Sequence, residues 1–288
     1  MKMKTKSPLP WFGSDAGVAA ELAELLDECK HVTIPFAGGL SILPHLKARS
    51  IVANDMHEAA INFYRIASGS WGDRMRKDLI ERCKSTLSHP VELNQAKSIV
   101  DELSRVTVLG NGKYQYHRGN YAWAFWALCW IGRKGKGGTK HQGGNPSIRR
   151  TANGGNNATR ISSAAADLHL WTNELKRCEF ECEDFRNCLA SVADKPDCGI
   201  YCDPPWFGAG RNYLHGFTDQ DHFTLAECLS DKKHSPIVLR YGDCDEVRNI
   251  YEPCDGWTIV EATSRTQANK LLGELWITRN IEVEATNG

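Results

Sequence analysis

Short apolar runs that alternate with helical stretches at both ends of the chain constrain its fold more than any other feature. Val32–Phe36 reads as a buried strand, Gly38-Gly39 as a tight turn, Ser41–Lys47 as a short helix, and Ser50–Asn54 as a second strand ending at Asp55, which together make a β-α-β unit. After Ala166 the alternation returns, with strands expected at Cys178–Cys182, Gly199–Cys202, Pro236–Tyr241, Trp257–Ala262 and Glu274–Thr278. Strands interleaved with helices in this way imply an open, mostly parallel α/β sheet, closed by an antiparallel hairpin at its C-terminal end.

The two halves are separated by a stretch of different character. From Gly72 to Arg105 two helical segments are expected, broken near His89-Pro90. Over the 288 residues 35 Lys and Arg cancel 35 Asp and Glu, yet from Leu103 to Ala166 there is no acidic residue at all. That window carries Arg105, Lys113, Arg118, Arg133, Lys134, Lys136, Lys140, Arg149, Arg150 and Arg160. Such asymmetry is the footprint of a polyanion-binding segment set into an acidic body. Within it, Gly132–Arg160 holds eight glycines and many Asn, Ser and Thr, too little apolar surface for a core, and reads as a mobile basic loop. Just before it, Trp123, Trp126 and Trp130 fall on one helical face, the pattern of a buried face.

Composition excludes several classes. At 41% hydrophobic residues with nine Trp, the chain can bury a sizeable core, so disorder is excluded as the dominant state. Its longest apolar run, Tyr121–Ile131, is about half of the ~20 residues a membrane-spanning helix needs, and no targeting segment is visible, so a cytoplasmic protein is expected. Eleven cysteines without a C-x-x-C pair suit reduced thiols rather than a disulfide framework. Cys178/Cys182 and Cys198/Cys202 have zinc-like spacing, but within strands residues four apart lie roughly 13 Å from each other, so no metal is expected.

Two motifs carry chemistry. Pro35-Phe36-Ala37-Gly38-Gly39 follows the first strand, with Asp55 at the tip of the second. Glycines allow close backbone approach to a ligand, and an acid at that tip can accept hydrogen bonds from ribose hydroxyls, which suits a nucleoside. Asp203-Pro204-Pro205-Trp206 directly follows the apolar strand at Gly199–Cys202. A carboxylate at the carboxyl end of a sheet strand, two prolines that fix the backbone, and an adjacent planar side chain make a polar corner beside a slot for a flat ring. This fits methylation of an exocyclic amine. If Asp203 and the Pro204 carbonyl each accept one amino hydrogen, the nitrogen moves towards sp3 geometry and its lone pair becomes available, so the site works by alignment and electrostatics. Trp206 would stack on the base.

These residues resemble the DNA adenine N6-methyltransferases of the Dam type over most of the chain. Pro35-Phe36-Ala37-Gly38-Gly39 resembles the family's cofactor loop, Asn54-Asp55 its ribose-binding acid, and Asp203-Pro204-Pro205-Trp206 its catalytic Asp-Pro-Pro-Tyr. Glu183-Asp184-Phe185 is similar to the Asp-Phe beside the cofactor adenine, Trp11-Phe12-Gly13 to an N-terminal cofactor-touching element, and Glu274–Asn280 to a C-terminal segment of the family. The resemblance implies a Rossmann-like methyltransferase sheet from residues 1–66 and 167–288, with a target-recognition insertion over 67–166. It implies S-adenosylmethionine as methyl donor, bound by Trp11, Pro35, Phe36, Gly38, Gly39, Asp55, Asp184, Phe185 and Asp203, and double-stranded DNA as substrate. Two departures stand out: Ser14-Asp15 follows Gly13 where the family continues to a Lys, and Trp206 replaces a Tyr. They suit a divergent or phage-borne member, with or without a restriction partner.

The expected function is thus site-specific DNA adenine methylation by an enzyme that needs no oligomer, with Arg133, Lys134, Lys136, Lys140, Arg149, Arg150 and Arg160 on the DNA. Three other readings are weaker. RNA adenosine methyltransferases share Asp-Pro-Pro-Trp but resemble the reverse motif order, an inactive DNA-binding module is supported by Asp15 alone, and a nicotinamide-dependent oxidoreductase leaves the basic window unexplained. Removing the charges of Arg149 and Arg150 should weaken DNA binding and flatten its dependence on salt by about two counterions. Filter binding across a salt series measures this, and an unchanged slope would take both residues off the phosphates.

Overall fold

The computed structural model describes residues 3–106, 118–132, 137–140, 155–265 and 271–281. These form two compact units: Met1–Ser14, Gly38–Ser41 and His57–Phe180 make the first, and Asp15–Ala37, Ile42–Met56 and Glu181–Gly288 the second.

The seven strands are β1 (His31–Ile34), β2 (Ser50–Asn54), β3 (Cys178–Glu181), β4 (Cys198–Cys202), β5 (Ile237–Gly242), β6 (Trp257–Arg265) and β7 (Leu271–Arg279). They form one sheet in the order β3-β2-β1-β4-β5-β7-β6. β1 is parallel to β2 and to β4, and β4 is parallel to β5; β7 is antiparallel to both β5 and β6. The mostly parallel α/β sheet and its antiparallel C-terminal hairpin agree with the sequence pattern. β1 and β4 are neighbours at the point where the strand order reverses, and in open α/β sheets ligands bind in the crevice outside the strand ends at such a point.

Local chemistry accounts for the elements. β4 and β5 are buried along nearly their whole length, as a central pair covered on both faces must be. The helix α7 (Phe185–Ser191) is capped by Asp184, whose side chain accepts from the Arg186 N–H. α8 (Asp219–Ser230) has a capping box of Thr218 and Asp221. With α9 (Asp245–Tyr251), α7 and α8 contribute Leu189, Leu225, Leu229 and Val247 to a core shared with Ile200, Leu239, Leu275 and Ile277 of the strands. α1 (Ala19–Glu24) also lies in this second unit.

Several expected boundaries shift: β6 runs on to Arg265, β7 starts earlier at Leu271, and two shifts come from proline. β1 stops at Ile34 because Pro35, the next residue, has no N–H to give to a ladder. The helix expected over Ser41–Lys47 is a single 3-10 turn, Leu43–His45, with Pro44 inside it and Leu46 already extended.

The first unit is helical: α2 (Glu58–Ser68), α3 (Asp73–Ser85), α4 (Pro90–Val106), α5 (Arg118–Ile131) and α6 (Asn157–Leu175). The break at His89-Pro90 falls where α4 starts, proline taking the first helical position. α5 is packed by α2, α3, α4 and α6. Every residue from Ala122 to Ile131 is buried, so the tryptophan stripe is not one apolar face of a half-exposed helix, and the helix has no solvent face along that stretch. Trp123 donates its indole N–H to Thr86 Oγ1 (2.7 Å) and Trp130 to the Pro8 carbonyl (3.1 Å). Among the described residues no helix is long and apolar enough to cross a membrane.

Asn54, fully buried at the end of β2, fixes three loops of the second unit. Its Nδ2 donates to the Pro35 and Glu183 carbonyls (3.0 Å each), its Oδ1 accepts from the Glu183 N–H (2.9 Å), and its own carbonyl accepts from the Ala37 N–H (2.7 Å). Asn54→Ala leaves buried main-chain groups without partners and should lower stability by about 1–3 kcal/mol. Urea unfolding measures it, and a change near zero would mean that the loops hold themselves.

Candidate active site

The tetrad Asp203-Pro204-Pro205-Trp206 leaves the end of β4, at the reversal of strand order. Pro204 is buried, and Pro205 and Trp206 are half-buried. The Asp203 side chain is only 15% exposed and meets Arg240 of β5, whose Nη1 lies 3.3 and 3.2 Å from its two oxygens. The other arm of Arg240 donates to Glu274 Oε2 (2.7 Å), and Glu274 Oε1 accepts from the Trp276 indole N–H (2.9 Å). The same guanidinium lies over the Trp206 ring, 4.9 Å from its centroid. Gly242, at the end of β5, makes room for that ring: a Cβ there would lie 2.5 Å from Trp206 Cε3. Behind the tetrad, Phe207 stacks on His222 at 3.7 Å, and His222 Nδ1 is 2.7 Å from the Tyr241 hydroxyl.

Electrostatics follow from this crowding. Burial pushes the Asp203 carboxyl up to about 7; Arg240 opposes the rise, and Asp15 and Glu274 add to it. Arg240 is held charged: burial works against it, but Asp203 and Glu274 outweigh that. Burial would also raise Glu274, yet its bond to Arg240 brings it below the usual range. Asp15 is buried too and accepts from the Tyr201 hydroxyl at 2.6 Å, so the residue standing where the resemblance expects a Lys is built into the structure as an acid.

In the same unit lie the ends of β1, the strand next to β4, and of β2. Phe36, Phe185 and Phe217 pack ring on ring, with centroids 5.5 to 5.7 Å apart. Asp55 follows the Asn54 knot, half-buried. Asp184 caps α7 and pairs with Arg186 at 3.0 Å, and Arg186 pairs in turn with Asp221. An acid at a strand tip beside an aromatic wall is a donor set that fits the ribose and the base of a nucleoside.

In the first unit, Gly38 has φ +49° and its carbonyl accepts from the Tyr64 hydroxyl at 2.5 Å. A Cβ on Gly38 or Gly39 would come within 3.1 Å of the buried Trp11 side chain, so this ring sets the path of the glycine turn. Trp11 also forms a bridge to Gly137 and meets His57 edge-on at 5.5 Å. Of the basic residues, Lys140 is exposed. Arg160 is not in the loop expected there: it lies in the first turns of α6, its guanidinium 4.7 Å from the Trp130 ring centroid, because Asn156 caps that helix and starts it at Asn157. Arg133, Lys134, Lys136, Arg149 and Arg150 lie outside the described residues. Among the described residues no group of three or more His, Cys, Asp or Glu could hold a metal ion.

The model of the D12 class of N6 adenine-specific DNA methyltransferases matches residues 11–266. The chain belongs to that family. No curated protein matches it. For a D12-class methyltransferase the sheet, with its reversed seventh strand, is the expected frame, as the motifs implied.

Sequence reading of this methyltransferase found the tetrad and the loops but missed Asn54 as the knot, Arg240, Gly242 and the pairing of Asp15 with Tyr201. One signal was present: Arg240 is a lone charge inside the apolar run Ile237–Tyr241, and a charge in a buried strand requires a partner. Gly242→Ala forces the indole to move and should cost about 1–3 kcal/mol. Chemical denaturation measures it, and unchanged stability would show that Trp206 swings aside freely.

Proposed function

We propose that the chain transfers a methyl group from S-adenosylmethionine to the N6 nitrogen of an adenine flipped out of double-stranded DNA at a short recognition sequence. The observation that carries this reading is Asp203-Pro204-Pro205-Trp206 at the end of β4 in a chain that belongs to the N6 adenine-specific family.

Asp203 and the Pro204 carbonyl accept the two amino hydrogens and orient the nitrogen. Pro205 keeps the backbone rigid, and Trp206 stacks on the flipped base. Asp203 acts as the ionised acceptor, so it also balances the positive charge that develops on the amine. S-adenosylmethionine supplies the electrophilic methyl of its sulfonium. Asp55 suits its ribose hydroxyls, and Phe36 and Phe185 its adenine. Pro35, Gly38 and Gly39 give the loop its close backbone approach, and Asp203 also faces the donor. Asp184 and Trp11 belong to this reading through what they hold, α7 in one case and the glycine turn in the other.

Residues 67–166 act as the target-recognition region on the catalytic frame of 1–66 and 167–288. Arg133, Lys134, Lys136, Lys140, Arg149 and Arg150 contact phosphates or base edges; Arg160, stacked on Trp130, steadies the helix that follows. The reaction requires no oligomer, and the protein works in the cytoplasm of a bacterium or a phage-infected host.

Expressed in a methylation-deficient host, the protein should leave N6-methyladenine at one short motif across the genome, read by single-molecule sequencing. Asp203→Ala should abolish the mark, a loss of at least about 1,000-fold. An unmodified genome from folded protein would overturn the DNA reading and move the substrate to RNA or leave a binding module.

A further inference from the structure

We propose that Arg240 is the positioning residue of the tetrad: one guanidinium holds the acceptor carboxylate of Asp203 and the stacking ring of Trp206 in a single arrangement, and Glu274 holds the guanidinium. The inference rests on the methyl-transfer reading and goes beyond it, because Arg240 belongs to no motif by which that reading was reached.

The geometry is asymmetric. Arg240 and Glu274 are almost wholly buried, with side chains 4% and 0% exposed, and their bond is short at 2.7 Å. The Trp276 indole occupies the other Glu274 oxygen, so this end is fully tied. Towards Asp203 the contact is looser: one nitrogen at 3.2 and 3.3 Å shared between two oxygens. A carboxylate has about four acceptor positions, so a single shared donor leaves Asp203 able to accept an amino hydrogen as well. The guanidinium plane carries the third contact, over Trp206. The arm on Asp203 and the face on Trp206 link the first and last members of the tetrad, which the prolines separate.

The groups acting on Asp203 come from several elements. Asp15 lies in the N-terminal segment, Tyr201 and Cys202 in β4, Tyr213 after the turn that follows the tetrad, Arg240 and Tyr241 in β5, and Glu274 in β7. Among these described groups Arg240 is the one cation. Removing it leaves burial, Asp15 and Glu274 all acting to keep the carboxyl protonated. The ionised acceptor, present above the carboxyl's own pKa and lost as pH falls through it, would then need a higher pH.

The test is single-turnover methyl transfer as a function of pH in wild type, Arg240→Met, Arg240→Lys and Glu274→Gln, each checked for folding by circular dichroism. The wild-type rate should fall on the acid side through about pH 7. Arg240→Met should move that limb up by at least ~1 pH unit and lower kcat at neutral pH by about 30-fold or more, with the KM for S-adenosylmethionine within about threefold. Arg240→Lys should restore the limb but only part of the rate, because lysine keeps the charge and loses the fork and the stacking plane. Glu274→Gln removes a charge that favours protonation of Asp203, so its limb should move to lower pH, opposite to Arg240→Met. It is also the variant that decides if Arg240→Met fails to fold. An acid limb in the same place in both variants, or a kcat of Arg240→Met within threefold of wild type, would overturn the assignment. Wild type that methylates neither DNA nor RNA would end the functional reading instead. Arg240 is then decided without substrate by titrating the Asp203 carboxyl by 13C NMR: a midpoint raised by about one unit in Arg240→Met supports the role, and an unmoved midpoint removes it.

Discussion

A guanidinium inside a sheet cannot be left to solvent, and the tetrad end of this protein is arranged around that requirement. Taking Arg240 out of water costs several kcal/mol unless its donors are met in good geometry. Glu274, itself fully buried, is there to meet one side, and Asp203 the other. Asp203 directly follows β4, and Arg240 and Glu274 lie in β5 and β7; these strands are neighbours in the strand order, so the ion cluster and the sheet register specify each other. In the β5–β7 ladder Gly242 stands opposite Glu274 and Arg240 opposite Trp276, two rungs apart with the Tyr241–Leu275 pair between them, so the residue that makes room for Trp206 and the residues that anchor Arg240 share one face of the sheet.

The same sheet explains where the motif residues gather. β1 and β4 are neighbours, but the chain leaves them in opposite directions, towards β2 and β3 on one side and towards β5 on the other. Their exit loops therefore diverge. Phe36 and Asp55 lie on one side and the tetrad on the other. The first unit works differently. Its core is helix α5, buried from Ala122 to Ile131, with the Trp123 and Trp130 indoles paired to Thr86 and the Pro8 carbonyl, so a strongly apolar segment is enclosed by helices of its own unit.

What was legible in the sequence was local. A strand followed at once by Asp203-Pro204-Pro205-Trp206, or by Pro35 and two glycines, needs no knowledge of distant chain to be noticed, and the strand alternation fixed the fold class by period alone. The contacts that tune the tetrad were not legible, because Arg240 and Glu274 reach Asp203 only through strand pairing across 37 and 71 positions. Arg160 misled for a similar reason: its composition is that of the loop before it, while Asn156 as a helix cap, and Trp130 as a stacking partner, decide its place. Pro44 shortened a helix that apolar periodicity had favoured, since a missing donor outweighs pattern over so few residues.

Asn54 binds only main-chain groups, and every residue carries a main-chain carbonyl. The knot therefore places no demand on side-chain identity at 35 and, proline apart, none at 183, the positions it holds. A methyltransferase built this way keeps its loop framework indifferent to the side chains displayed on it, so the loops can be recoded for a different ligand while the frame stays tied.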